Sequence, residues 1–192
     1  MTERATLIVM AKAPRIGFGK TRLAAEIGGV EAWRINRALQ ASTMRAAINS
    51  RWRTILCVTP DNAVDLHLPG VWPRAVARIA QGAGDLGERL ARALRPHQRV
   101  AVIGTDCRDI TCGHVASAFA ALRRAPFALG PARDGGFWLL GARNGAGAAR
   151  AMNKGVRWST AHTAADVIRN LGDANVALLA TLRDVDVAAD LD

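Results

Sequence analysis

The sequence contains few cysteines, far less glycine than a collagen and no long hydrophobic run, and each of these features excludes a class of protein. Three Cys in 192 residues are too few for a disulfide scaffold, and 18 Gly are too few for a collagen-like repeat. Apolar runs such as Ala5–Ala11 are far shorter than the roughly 20 residues of a membrane-spanning helix. The first residues contain no apolar stretch typical of a signal peptide. We therefore expect a cytoplasmic protein with no membrane span and with reduced cysteines.

Lysine is scarce but arginine is abundant, so the chain is strongly basic. Its 26 Lys and Arg against 16 Asp and Glu give a formal net charge of +10, and only three of the basic residues are Lys. Residues 1–60 hold ten basic and three acidic side chains, whereas residues 167–192 hold two basic and five acidic ones. The first pattern suits a phosphate-bearing ligand and the second suits a cation. Direct nucleic-acid binding is disfavoured, because the sequence has no zinc knuckle, RNA-recognition signature or run of five basic residues.

The sequence alternates between strand patterns and helix patterns. Half of the residues are hydrophobic, enough to build a core in one domain of this length. Short apolar runs rich in branched residues are typical of strands buried on both faces. The predicted strands are 5–11, 54–59, 76–80, 99–104, 127–130, 137–141 and 175–180, and the predicted helices are 21–49 with a break at 28–29, 85–94, 111–124, 145–153 and 160–171. We predict one three-layer α/β/α domain over residues 1–192, with a mixed but mainly parallel sheet.

Four segments with charged side chains that could bind a ligand follow predicted strands. They are the loop at 12–20, Asp106, the loop around Asp134, and residues 184–186. In open α/β sheets, ligands bind at the carboxyl ends of the strands. We therefore expect these four segments to converge on one edge of the sheet.

The first of these segments allows two interpretations. Residues 14–21, PRIGFGKT, nearly match the P-loop G-x-x-x-x-G-K-[ST], with Asp106 as the matching magnesium ligand. Pro14 replaces the first Gly, however, and removes a backbone N–H from a loop that must aim such groups at phosphate. In the other interpretation, the loop's cations and the start of the next helix hold a di- or triphosphate. These cations are Lys12, Arg15, Lys20 and Arg22.

The carboxylates at strand ends are candidate metal ligands. Mg2+ takes oxygen ligands, usually one or two carboxylates with phosphate and water. Asp106 follows a buried strand directly, while Asp184 and Asp186 are spaced so that both side chains lie on one face of an extended segment. Without a cation, neighbouring carboxylates are expected to repel each other. Asp134 precedes two glycines, which permit either close approach of a ligand or a tight turn.

A zinc site is a weaker possibility. Cys107, Cys112 and His114 are close in sequence, but C-x4-C-x-H lacks a fourth ligand and the usual zinc spacing. Buried thiols are the favoured interpretation. Asp109, in the same segment, is expected to cap the helix that follows.

Six ordered motifs resemble a bacterial family of GT-A-type glycosyltransferases of uncharacterised substrate, within the nucleotide-diphospho-sugar transferase superfamily. The motifs span nearly the whole chain and are AKAPRIGFGKTRL at 11–23, QGAGDLGERL at 81–90, GTDCRDIT at 104–111, GPARDGGFWLLGA at 130–142, WST at 158–160 and DVDVAADL at 184–191. The superfamily also contains nucleotidyltransferases, such as the phospholactate and molybdenum-cofactor guanylyltransferases. The resemblance implies a GT-A-like fold and a transferase that uses a nucleotide-sugar or nucleoside triphosphate, a small-molecule acceptor, and Mg2+ or Mn2+.

The resemblance also implies roles for single residues. Asp106 would be catalytic through the metal, with Asp186 first and Asp184 second as further ligands. Asp134 would be the second catalytic residue and would contact the acceptor or a sugar hydroxyl. The base or ribose would be held by Gln81, Gly82 and Asp85. Nucleotidyl transfer is the alternative within the superfamily, while a P-loop NTPase and a non-catalytic nucleotide-binding protein are alternatives of another class.

Overall fold

The computed structural model describes residues 4–191. This part of the chain contains seven strands and six α-helices, with short 3-10 turns at 61–65, 173–175 and 188–191. The elements in chain order are β1 (Thr6–Lys12), α1 (Thr21–Ile27), α2 (Gly29–Ala47), β2 (Arg53–Thr59), β3 (Ala77–Ala80), α3 (Leu86–Leu94), β4 (Val100–Ile103), α4 (Cys112–Ala121), β5 (Phe127–Pro131), β6 (Phe137–Ala142), α5 (Gly145–Met152), α6 (Thr163–Leu171) and β7 (Val176–Leu178).

The strands form a single mixed sheet in the order β3-β2-β1-β4-β6-β5-β7. Strand β1 pairs in parallel with β2 and β4, β2 pairs in parallel with β3, and β5 pairs in parallel with β7. Only β6 runs against its neighbours, β4 and β5. The predicted mixed but mainly parallel sheet is therefore confirmed, with β1 and β4 in its interior.

Alternate side chains of the sheet face two separate cores. In β1, Leu7 and Val9 belong to one hydrophobic cluster and Ile8 to the other, as the period of two in a strand requires. The first cluster includes Met44 from α2 and Val115 from α4. The second includes residues of α3, α5 and α6. The three-layer α/β/α arrangement predicted from the sequence is confirmed.

Local side chains define where several helices begin. Asp85 caps α3, because its carboxylate accepts from Glu88 N while the Glu88 side chain accepts from Asp85 N. Thr111 forms the same kind of box with His114 at the start of α4. The expectation that Asp109 caps α4 is therefore wrong, because the chain enters the helix at Thr111. None of the helices in residues 4–191 is long and apolar enough to cross a bilayer.

The topology sets which loops share an edge of the sheet. Because β5 and β4 both run antiparallel to β6, they point in the same direction. The turn at 132–136, which follows β5, therefore lies at the same edge of the sheet as the loops that follow β1 and β4. The late segment, residues 182–186, is held at the same edge by backbone hydrogen bonds. Leu182 N donates to Pro131 O at 3.1 Å, and Val185 N donates to Asp106 O at 3.0 Å. Residues distant in sequence are thereby placed beside one another.

Candidate functional site

A cleft of about 690 Å³ opens at the carboxyl edge of β1 and β4. Its lining includes residues from the four predicted segments, among them Lys12, Lys20, Asp106, Asp134, Asp184 and Asp186. The structure thus brings the four segments together in one cleft, as predicted. A smaller cavity of about 360 Å³, lined in part by His67 and Arg74, contains none of the predicted site residues.

The ammonium group of Lys20 lies between two of the predicted metal ligands. Its Nζ is 2.5 Å from Asp106 Oδ1 and 3.1 Å from Asp186 Oδ1, and it also donates to Val185 O at 2.6 Å. The Lys20 side chain is 5% exposed, whereas those of Asp106 and Asp186 are 53% and 44% exposed. The expected repulsion between two empty carboxylates is therefore wrong for this structure, because a positive charge separates them.

The two aspartates keep Lys20 charged. Burial of the ammonium works to lower its pKa, but the attraction and hydrogen bonds of Asp106 and Asp186 outweigh burial and raise the pKa above its ordinary value. The amine is consequently protonated at neutral pH. The site holds a fixed positive charge surrounded by oxygen atoms.

The loop before α1 delivers Lys20 to this position. Gly17 and Gly19 have φ of 76° and 101°, in the region that favours glycine, and Phe18 N donates to Arg15 O at 3.0 Å to close the turn. Lys20 itself has φ 50° and ψ 40°, a left-handed conformation that an L-residue adopts at a cost. Its three oxygen partners offset that cost. The helix that follows, α1, is only seven residues long.

The other three cations of the loop are placed differently. Lys12 and Arg22 are exposed and line the cleft, and Lys12 Nζ lies 3.9 Å from the centroid of the Phe18 ring. Arg15 is also exposed but does not contribute to the cleft lining. Among the predicted phosphate-binding residues, the structure therefore groups Lys12, Lys20 and Arg22 and leaves Arg15 outside.

Asp184 is held by a thiol. Cys107 Sγ donates to Asp184 Oδ1 at 2.6 Å, and the two residues also form an antiparallel bridge. Burial, together with the negative charges of Asp134, Asp106 and Asp186, raises the pKa of Asp184 to about 6, against the lowering effect of the Cys107 hydrogen bond. Burial likewise raises the pKa of the Cys107 thiol. This contact fastens the late segment beside Asp106, and it was not predicted from the sequence.

Asp134 projects into the cleft from a tight turn. Its Oδ1 accepts from Gly136 N at 2.8 Å, and Ala132 N donates to Gly136 O at 3.0 Å. Both expectations for the two glycines are thus compatible with the structure, because the turn is tight and also lines the cleft.

Of the three residues expected near the base or ribose, one lines the cleft. Gln81 is buried, and its Nε2 donates to Ala11 O at 3.2 Å and Cys57 O at 3.1 Å, which ties the ends of β1 and β2 together. Gly82 N donates to Asp61 Oδ1 at 2.9 Å and Asp85 caps α3, and neither lines the cleft. The structure gives these two residues structural roles.

A buried amide pair on α2 supports the loop and was missed by sequence reasoning. Gln40 Nε2 donates to Lys12 O at 2.8 Å and to Asn36 Oδ1 at 3.0 Å, and Trp72 Nε1 donates to Gln40 Oε1 at 2.8 Å. Asn36 and Gln40 both line the cleft. Their spacing of four residues, which places two amide side chains on the same buried face of α2, was the signal that could have found them.

Within residues 4–191, no three His, Cys, Asp or Glu side chains are grouped as a metal-ligand set. Cys107 and Cys112 are free thiols. Cys112 Sγ accepts from Asn49 and Arg51, and His114 is used in the α4 cap. The three residues of the weaker zinc pattern therefore have separate local roles.

Comparisons with known proteins agree with this fold. A family of bacterial proteins described as uncharacterized and conserved (DUF2064) matches residues 42–160, more than half of the chain. A protein from Desulfovibrio desulfuricans G20, described as a candidate nucleotide-diphospho-sugar transferase, superposes with a TM-score of 0.87 at 27% identity, over 99% of this chain and 85% of that one. No curated protein sequence is similar enough to add a relative.

More distant structures share the fold. The 4-diphosphocytidyl-2C-methyl-D-erythritol synthase of Anaerococcus prevotii DSM 20548 has a TM-score of 0.63 at 9% identity, over 97% of this chain and 92% of that one. The glucosyl-3-phosphoglycerate synthase of Mycobacterium tuberculosis, in complex with Mn2+, UDP and glucosyl-3-phosphoglycerate, has a TM-score of 0.55 at 11% identity, over 95% and 71%. These two structures show the shared fold. The Desulfovibrio structure, at 27% identity, supports an enzyme of the transferase kind, as the sequence predicted. The chain belongs to the bacterial DUF2064 family and has the fold of the nucleotide-diphospho-sugar transferase superfamily.

Proposed function

We propose that this protein is a divalent-metal-dependent transferase of GT-A type that uses a nucleotide-sugar or nucleoside triphosphate as donor and a small molecule as acceptor. The observation that carries the proposal is the oxygen-lined cation position in the cleft. Asp106 Oδ1, Asp186 Oδ1 and Val185 O surround one positive charge at 2.5, 3.1 and 2.6 Å. A cytoplasmic location, expected from the sequence, belongs to the same proposal.

The oxygen atoms around Lys20 Nζ fit Mg2+ or Mn2+. The ammonium stands in for a cation at this point, and its partners are the hard oxygen donors that these ions take. Asp106 and Asp186 would be the protein ligands, which is a partial set, so substrate phosphates and water would complete it. When bound, the cation would neutralise charge that develops on phosphate oxygens as the leaving group departs.

The remaining cleft residues have the chemistry to bind and orient the donor. Lys12 and Arg22 present exposed positive charges that attract phosphates. Both protons of Gln81 Nε2 are directed to strand carbonyls, so Oε1 is the atom left to accept from a ribose hydroxyl or a base amine. Asp134 can accept a hydrogen bond from a hydroxyl of the sugar or acceptor. Catalysis would then consist of positioning and charge neutralisation.

Nucleotidyl transfer is the second candidate. It is favoured by Gly104-Thr105-Asp106, which stands where many GT-A glycosyltransferases have D-x-D, and by the cations of the first loop, which suit a triphosphate. Among the distant structures, the Anaerococcus synthase agrees with this alternative and the Mycobacterium enzyme agrees with glycosyl transfer. A P-loop NTPase is disfavoured, because Pro14 interrupts the motif and the Lys20 amine is engaged by two aspartates.

A ligand screen followed by product analysis tests the proposal. Nucleoside triphosphates and nucleotide-sugars are added with Mn2+ or with EDTA, and the melting temperature Tm is measured. A donor at about 100 times its Kd should raise Tm by about 5–10 °C with Mn2+ and by much less with EDTA. With the stabilising donor, release of a nucleoside diphosphate indicates glycosyl transfer, and release of pyrophosphate indicates nucleotidyl transfer.

The variant Asp106→Asn gives the residue-level test. It should abolish most of the Mn2+-dependent gain in donor affinity, because a cation held by one or two carboxylates loses much of its site with either one. Asp109→Asn is the matched control, since Asp109 is exposed three residues further along the same loop and does not line the cleft. Failure of every donor to stabilise the parent with Mn2+ would instead favour a non-catalytic protein.

A further inference from the structure

Lys20 occupies the position that the divalent cation of the proposed function requires. Its Nζ contacts one oxygen each of Asp106, Asp186 and Val185, all within 3.1 Å. An ammonium group and a divalent cation cannot share one point among the same oxygens. Binding of the metal therefore requires that Lys20 move.

We propose that Lys20 is a built-in counter-cation, which excludes the divalent metal from the Asp106–Asp186 pair until the phosphates of a nucleotide draw the ammonium away. This inference rests on the proposed function and adds an order in which the ligands bind. Metal and nucleotide enter together, and the free enzyme binds the metal weakly.

The charges at the site favour this exchange. Two carboxylates with one ammonium carry a net charge of −1, whereas two carboxylates with a divalent cation are neutral. The displaced ammonium then needs new negative partners, and phosphate oxygens supply them. Lys12 and Arg22 line the same cleft and would bring phosphates within its reach.

The geometry permits the exchange as well. Asp106 and Asp186 are about half exposed, so a cation from solvent can reach the pair as the ammonium leaves it. The three oxygens contact only the Lys20 ammonium, which a flexible four-carbon stem joins to the backbone, so the ammonium can move without unfolding the loop. The backbone around it contains two glycines with positive φ, Gly17 and Gly19, which tolerate small rearrangements of the loop.

Binding of Mn2+ alone, without nucleotide, is the direct test. The parent and the variants Lys20→Met, Lys20→Gly and Lys12→Met are titrated with Mn2+, and free Mn2+ is followed by its electron paramagnetic resonance signal. Lys20→Met should bind Mn2+ at least about tenfold more tightly than the parent, because a competing charge within a few ångströms is removed. Lys12→Met, which removes a charge from the same cleft but not from the aspartates, should bind like the parent.

The glycine variant and one additional double variant keep the test decisive. Lys20→Gly suits the left-handed backbone at this residue and provides a folded alternative if the methionine variant is unstable. Adding Asp106→Asn to Lys20→Met should remove the gain in Mn2+ affinity, which would locate the ion at this pair.

The outcomes separate this inference from the proposed function. If both Lys20 variants bind Mn2+ no more tightly than the parent, while a nucleotide still stabilises the parent only with Mn2+, the counter-cation is refuted and the proposed function stands. If the parent shows no Mn2+-dependent stabilisation by GTP, CTP, UTP or UDP-glucose and no variant binds Mn2+, both fail.

Discussion

Replacement of Gly135 by alanine tests whether one wall of the cleft is held by backbone packing. Gly135 has φ of +86°, and a Cβ atom there would lie 2.5 Å from Cα and 2.6 Å from C of Ala161. Ala164 N also donates to Gly135 O at 2.9 Å. A methyl group at this position must therefore push residues 159–163 away from the turn at 132–136.

The cost has two separable parts. A positive φ destabilises an alanine by about 1–2 kcal/mol relative to glycine, and forcing an extra carbon into a packed contact costs about 1–3 kcal/mol. Together they predict a loss of about 2–5 kcal/mol in the free energy of unfolding. For a domain of this size that corresponds to a decrease in Tm of roughly 5–15 °C.

Thermal unfolding followed by circular dichroism measures this loss, and Gly155→Ala supplies the matched control. Gly155 has φ of +66°, but no atom lies within 4 Å of the position its Cβ would take. The control therefore carries the backbone cost without the collision. Equal decreases in Tm for the two variants would refute the argument that the contact with Ala161 constrains the turn.

Two further predictions concern polar groups around the site. Asp184→Asn should stabilise the protein by about 1–3 kcal/mol at pH 8 but not at pH 4. The folded-state pKa of Asp184 is raised to about 6 from 3.8, so its ionisation weakens the folded state as pH rises from 4 to 6. This is tested by measuring Tm in EDTA at pH 4 and pH 8, with Asp109→Asn as the control. An equal change in Tm at the two pH values would contradict the prediction. Gln40→Ala should cost about 2–4 kcal/mol, since Lys12 O and Trp72 Nε1 lose their partner. Urea unfolding measures this loss against Arg45→Ala, an exposed change on the same helix; similar losses would contradict it.

The sequence predicted the elements well because its periodicities are strong. Every predicted strand and helix is present, and most bounds agree within two or three residues. The largest differences are at helix ends, where capping contacts determine the first and last helical residues. The helix expected at 160–171 begins at Thr163, and the helix expected at 111–124 ends at Ala121, before three residues in a turn.

The contacts within the site were harder to predict. Motif order placed Lys20, Asp106 and Asp186 at strand ends, but not in one ion-pair cluster. Lys20 and Asp186 are 166 residues apart, and their contact depends on β1 pairing with β4 and on Val185 N bonding to Asp106 O. Local patterns report the period of an element and carry no information about which side chains meet across the sheet edge. The same limit explains why the Cys107–Asp184 contact was missed.

The charge asymmetry of the chain acquires a different meaning in the folded protein. From the sequence, the basic residues 1–60 suit a phosphate-bearing ligand and the acidic residues 167–192 suit a cation. In the folded protein the two segments meet, because Lys20 of the basic segment pairs with Asp186 of the acidic one and with Asp106. In the proposed function, phosphates would then be attracted by Lys12 and Arg22, which are exposed in the cleft. A divalent cation would therefore contribute twice, by its own charge and by releasing the Lys20 ammonium for the phosphates. On this reasoning, metal and nucleotide affinities must rise together, and a Lys20 variant should uncouple them.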